Sequence, residues 1–268
     1  MMMNRLVRPL ARFALIATAG LGPAGCMLGH LNSPTRMDRG LVIILPGIEG
    51  PSMWNANIAR GLNEGGVRCG IEVYDWGTNV PGGMLINLAD IERNRAAARG
   101  LSEHIRIYQA AHPGKPVHVI GHSGGGGIAV LAAELLSRDR PLTTAILLAP
   151  ALSPDYDLTE ALARTRYGIF CYYSPYDAAL LRVGTSMAGT IDRRFGQAAG
   201  AVGFTRPGKA NSEDASPYTR LHQVCWTPAM RRSGHLGGHM GWTERRFVRE
   251  YLAPLIADFN RGGVDPGW

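Results

Sequence analysis

The sequence predicts an α/β fold, a mostly parallel central sheet with helices on both sides. Three observations predict it. Strand-like and helix-like stretches alternate almost throughout the 268 residues. The strand candidates are short, continuously apolar runs, as strands buried on both faces must be. Most of these runs stop at glycine or proline, the residues that end strands and open turns.

The first strand is Leu41-Val42-Ile43-Ile44-Leu45, β-branched in its middle and closed by Pro46-Gly47. Met53 to Leu62 reads as a short helix. Ile71 to Trp76 is a second strand, followed by a Gly/Pro-rich loop from Gly77 to Gly83. From Asp90 to Ala111 the apolar residues Ile91, Ala98, Ile105 and Tyr108 recur at helical spacing, with arginines on the other face. Pro113-Gly114-Lys115-Pro116 breaks that pattern. Val117-His118-Val119-Ile120 is the next strand, and Ile128 to Leu136 the next helix. Further strands are Ala145 to Leu148, Gly168 to Tyr173 and Leu221 to Trp226. A helix from about Thr243 to Phe259 closes the fold. Residues 41–262 therefore form one domain, a length suited to a single core.

The first 25 residues read as an export signal. Arg5, Arg8 and Arg12 precede an apolar run, Phe13 to Leu21, too short to span a bilayer and followed by small residues. Ala24-Gly25-Cys26 resembles the end of a lipoprotein signal, with Cys26 as the lipidated residue, although Pro23 stands where an aliphatic residue is usual. The expectation is an exported protein of the periplasm or cell envelope, attached to the membrane through Cys26. Residues 26–40 form a polar linker.

Composition excludes other classes. Hydrophobic residues make up 46% and charged ones 18%, a globular balance. The net charge of +7 owes three units to the signal, and the rest is too scattered for a nucleic-acid partner. Cys69, Cys171 and Cys225 have no metal-site spacing and read as buried thiols, with a Cys171–Cys225 bridge left open. His118, inside a strand, reads as a core histidine.

Chemistry concentrates in Gly121-His122-Ser123-Gly124-Gly125. This Gly-x-Ser-x-Gly lies between a buried strand and a glycine-opened helix. A serine there sits at the carboxyl edge of the sheet, where clefts of open parallel sheets form. The tight turn needs small neighbours, and His122 is expected to point elsewhere. The amide of Gly124 can donate to a developing oxyanion. Serine needs a base, and the base a carboxylate to orient it. Downstream, Asp177 follows one strand, and His235 and His239 follow the last one, all at the same edge. His239 is the preferred base and His235 the alternate. Asp155 and Asp157 are the runners-up to Asp177. In Leu45-Pro46-Gly47-Ile48-Glu49-Gly50, the amide of Ile48 is the candidate second oxyanion donor. Trp54, Trp76, Trp226, Met187, Met240 and Trp242 lie near loop edges, where rim or core packing is the default.

With these residues the chain resembles a serine member of the α/β-hydrolase superfamily. The carriers are Pro46 to Gly50, with Pro46 where the family has His, the elbow around Ser123, Asp177 and His239. The resemblance covers about residues 40–260. It implies an α/β-hydrolase fold and cleavage of small-molecule or lipid esters through an acyl-serine, with no cofactor and no metal. An acyltransferase or thioesterase would use the same residues, and a binding protein could keep the fold without the reaction. Only Ala151 to Tyr167 stands where the family often has a helical lid, which implies an open site. The longer stretch Leu180 to Pro217 is the candidate cover. Gly121, Gly125 and Gly127 also fit the phosphate loop of short-chain dehydrogenases. That motif belongs after the first strand, and no Tyr-x-x-x-Lys follows it here.

Overall fold

The computed structural model describes residues 28–78, 83–177, 189–206 and 217–262. Its centre is a six-stranded sheet of β1 (Leu41–Leu45), β2 (Gly70–Val73), β3 (Val117–His122), β4 (Thr144–Leu148), β5 (Ile169–Tyr173) and β6 (Leu221–Cys225). The order is β2-β1-β3-β4-β5-β6, and every pair is parallel. The chain steps one way from β1 to β2, then returns past β1 to β3. The connections from β1 and β3 thus leave in opposite directions, which opens a crevice at their carboxyl ends.

Alternation along each strand explains the continuous apolar runs. Leu41, Ile43, Leu45, Val119, Ala145 and Leu147 face one layer, with α3 (Ile91–Ala111) and α4 (Gly124–Ala133) packed on them. Val42, Ile44, Ile120, Ile146, Phe170 and Tyr172 face the other, under α1 (Met53–Glu64) and the C-terminal helices. Both sets are buried, so the inner strands admit a polar residue only where it finds a hydrogen-bond partner. His118 is a core histidine, with Nδ1 2.8 Å from Thr144 Oγ1 and Nε2 2.9 Å from Asn260 Oδ1.

Several elements differ from expectation. A short helix α2 (Gly83–Ala89) lies between the glycine-rich loop and α3, and Asp90 caps α3 by accepting from the amide of Arg93. Helix α4 begins at Gly124 rather than Ile128, because its glycine-rich first turn is buried against neighbouring chain that supplies what propensity lacks. Two further short helices, α5 (Thr159–Ala163) and α6 (Ala199–Val202), carry too little pattern to be foreseen. The last helix arrives in pieces. A helical turn at Arg245–Phe247 runs into a π turn at Val248–Leu252 and then α7 (Ala253–Asn260). Pro254 offers no N–H to the Glu250 carbonyl, and the turn ahead of it widens.

The stretch expected as a linker is packed where it is described. Leu31 is buried, and Arg36 donates to the carbonyls of Leu31, Val67 and Cys69. The side chain of Arg36 thereby ties this stretch to the domain. Cys69, Cys171 and Cys225 are free thiols, and the sheet register sets Cys225 beside Tyr173 and Cys171 beside Gln223. The export signal, Cys26, Met187 and Leu180 fall outside the described residues.

Candidate active site

Register brings the first pieces together. Leu45 pairs with Gly121, so the loop that leaves β1 at Pro46 runs alongside the turn that leaves β3 at Ser123. Ser123 adopts φ 54° and ψ −119°, a conformation that costs a non-glycine residue of order 1–3 kcal/mol. It persists because the surroundings fix it on both sides. The amide of Ser123 donates to the Leu148 carbonyl, and its own carbonyl accepts from the amides of Gly126 and Ala151. A Cβ at Gly125 would lie within 3 Å of the Leu45 and Pro46 carbonyl oxygens, so β1 and α4 approach this closely only with glycine there.

The loop after β1 is anchored from outside. Trp76 Nε1 donates to the Pro46 carbonyl at 2.7 Å, and Asn87 Nδ2 to the Ile48 carbonyl at 2.9 Å. The Ile48 side chain rests against Gly124, so the two amides expected to bind an oxyanion belong to residues in contact. Neither amide meets an acceptor among the described residues. The Glu49 side chain reaches solvent, but its carboxylate folds back over Gly47, where partial desolvation raises its pKa and the nearby His239 acts in the opposite sense.

Asp177 ends a 3-10 turn, Pro175–Asp177, directly after β5. Its side chain is buried, and Oδ2 accepts from His239 Nδ1 at 2.8 Å. Ser174 joins the two loops, since its hydroxyl donates to the Gly237 carbonyl at 2.7 Å. With Nδ1 carrying the proton, a neutral His239 ring leaves Nε2 as the open acceptor. His239 also leans on the elbow. Its ring lies 4.7 Å from that of His122, and its carbonyl is 3.3 Å from His122 Nε2. No hydrogen bond joins Ser123 Oγ to His239 among the described residues; the contact between their segments runs through His122. Catalytic hydrogen bonds of this kind are often long before substrate binds.

The other candidates go elsewhere. Gly237 has φ 103°, and this reversal separates the two histidines. His235 turns into the core, where its ring meets Trp242 at 4.0 Å and Phe247 at 5.3 Å, and its Nδ1 accepts from the Gly237 amide. Burial lowers its pKa to about 4. Asp155 pairs with Arg194, and Asp157 accepts from the Thr159 amide and Tyr218. Trp242 and Trp226 are core residues, whereas Trp76 is buried next to Gly124. The chain from β5 to β6 does supply cover. Ile191 packs on Gly124 and Gly127, and its amide bonds the Ala151 carbonyl. The structure thus adds His122, Glu49, Asn87 and Ile191 to the neighbourhood of Ser123. His122, Glu49 and Ile191 lay in segments already marked by sequence, and Asn87 did not.

A family model described as serine aminopeptidase, S33, matches residues 36–189, a stretch that includes β1 to β5, Ser123 and Asp177 but stops before His239. No curated protein matches the chain. Among solved structures, the chain is similar to Est1E from Butyrivibrio proteoclasticus, with 11% identity, a TM-score of 0.49 and coverage of 85% of this chain and 91% of that one. It is similar to Aspergillus fumigatus lipase B at 12% identity, TM-score 0.49, covering 84% and 54%. A predicted CIB-like hydrolase from Thermoplasma acidophilum gives 16% identity, TM-score 0.43, and coverage of 86% and 89%.

Proposed function

Because the chain belongs to the serine aminopeptidase, S33, family of α/β-hydrolases and is a hydrolase, we propose that it cleaves carboxylic esters through an acyl-serine on Ser123. The observation that carries this reading is the buried 2.8 Å hydrogen bond between His239 and Asp177, on a loop that leans against the Ser123 elbow. His239 Nε2 takes the proton of the Ser123 hydroxyl as its oxygen attacks the ester carbonyl. Asp177 keeps the ring oriented and stabilises the imidazolium. The amides of Ile48 and Gly124 bind the oxyanion, a contribution worth about 10²–10³ in rate for each such donor. His239 then hands the proton to the departing alkoxide. Water, deprotonated by the same nitrogen, releases the acid and restores Ser123.

A short-chain p-nitrophenyl ester assay on wild type and Ser123→Ala tests the reaction. Loss of turnover and of fluorophosphonate labelling in the variant is the expected result; equal rates would end the esterase reading, and with it any role for Ser123. Unimpaired activity with a different nucleophile labelled would point to another site.

One observation favours a second substrate. The Glu49 carboxylate, folded over Gly47 and close enough to act on His239, is a charge that the ammonium of a peptide N-terminus would meet. The name of the matched family points the same way. Parallel assays with an aminoacyl p-nitroanilide and a p-nitrophenyl ester decide between amide and ester. Export through residues 1–25 and lipid attachment at Cys26 complete the proposal, with a small-molecule or lipid ester as substrate. Cell fractionation and intact mass, with and without Cys26→Ala, test them. A soluble cytoplasmic product of unchanged mass would refute both.

A further inference from the structure

His122 fills the variable position of the Gly-x-Ser-x-Gly turn, where a side chain is free to leave the site. Instead its imidazole is 1% exposed and lies between the elbow and the loop that carries His239. Nε2 stands 3.3 Å from the main-chain oxygen of His239, and the two rings meet at 4.7 Å with a 45° tilt. A carbonyl oxygen only accepts, so Nε2 carries the proton in the neutral ring. Nδ1 is then bare, and it is buried with no hydrogen-bond partner among the described residues.

We propose that His122 is a positioning residue for the base: it clamps the main chain of His239 through one N–H and props the His239 ring, so that nucleophile turn and base loop keep a fixed separation. This rests on the reading of Ser123 and His239 as nucleophile and base. The clamp touches neither substrate nor the reacting atoms. The protonation state of the ring supports it. Burial lowers the pKa of His122 to about 3, so the ring stays neutral and keeps its single donor over the working range.

Two substitutions separate clamping from space filling. His122→Phe keeps the ring and removes the donor; His122→Gln keeps a terminal donor at similar reach and loses the ring. Esterase kinetics on both, beside Ser123→Ala, give the answer. The expected result is a kcat about tenfold lower for His122→Phe with KM unchanged, the loss typical of one neutral hydrogen bond, and recovery to within about threefold of wild type for His122→Gln. Wild-type kcat in His122→Phe, or a lower kcat in His122→Gln than in His122→Phe, overturns the clamp while leaving the Ser123 reading intact. Full activity in Ser123→Ala removes that reading and the clamp together. Should either histidine variant fail to fold, 15N-histidine spectra of the wild-type protein decide. A protonated Nε2 with bare Nδ1 on His122 is expected, and the opposite tautomer overturns the proposal.

Discussion

Replacing Ser123 by glycine should stabilise the protein relative to replacing it by alanine, the reverse of the usual order. Ser123 holds φ 54° and ψ −119°, outside even the left-handed helical region, so the strain belongs in the upper part of the 1–3 kcal/mol range. Alanine inherits this strain and glycine does not. Against the relief stand the greater freedom of glycine in the unfolded chain, about 0.4–1 kcal/mol, and the loss of one buried methyl, about 0.8 kcal/mol. The balance favours glycine by about 1 kcal/mol. In a domain of this size that is about 2–4 °C in melting temperature. Scanning calorimetry of Ser123→Gly and Ser123→Ala at one pH and one scan rate reads the difference directly. Both lack the hydroxyl, so a nucleophile cannot confuse the comparison. If Ser123→Gly melts at or below Ser123→Ala, the turn is not strained and the argument that its surroundings hold it against its preference fails.

Asp177→Asn should cut kcat about a thousandfold or more while the fold survives, whereas His235→Asn, which disturbs the Gly237 amide and the packing on Trp242, should cost about 1–3 kcal/mol of stability and leave kcat within a few-fold; the reverse pattern would exchange the two histidines. Acid should destabilise the protein between pH 6.5 and 4. His118, His122 and His235 are held neutral by burial, at about 4, 3 and 4, so the unfolded chain binds more protons in that window, and each ring contributes at most about 2 kcal/mol of loss at pH 5. Glu134, raised to about 7 mainly by burial, works the other way between pH 7 and 4.5, and Glu49, raised in the same sense, adds to it without outweighing the three rings. A urea midpoint that does not fall from pH 7 to pH 5 would contradict this. Gly125→Ala sets a Cβ against two main-chain oxygens that no rotamer change can move, so it should cost about 2–3 kcal/mol. Gly238→Ala meets open space and should stay within about 0.5 kcal/mol by the same chemical denaturation.

The strands were legible because burial on both faces leaves a plain mark: Leu41 to Leu45 and Ala145 to Leu148 have no polar residue to give. The gathering of loops at one sheet edge followed from that, as did the placing of Ser123 between a strand and a helix. What escaped depends on contacts far along the chain. Asn87 sits on a short helix without a period, and its hold on the Ile48 carbonyl is a meeting of residues 39 apart. Ile191 acts by covering glycines of a helix more than sixty positions earlier. His235 and His239 share a glycine-rich loop, and only the backbone reversal at Gly237 sends one inward and the other toward Asp177. No spacing rule carries that information. The expected direction of His122 failed for a related reason: a turn motif says which neighbours must be small and nothing about what the remaining one will touch.

The tie between Ser174 and Gly237 has a consequence for the order of events during synthesis. The segment bearing His239 follows the edge strand β6 and is secured by a hydroxyl that lies just past the end of β5. A ribosome must therefore release the chain past β6 and Gly237 before this loop can be seated. A chain interrupted ahead of Leu221 would own the bent serine yet nothing to activate it. Reactivity, on the proposed chemistry, arrives all at once, when the two loops meet.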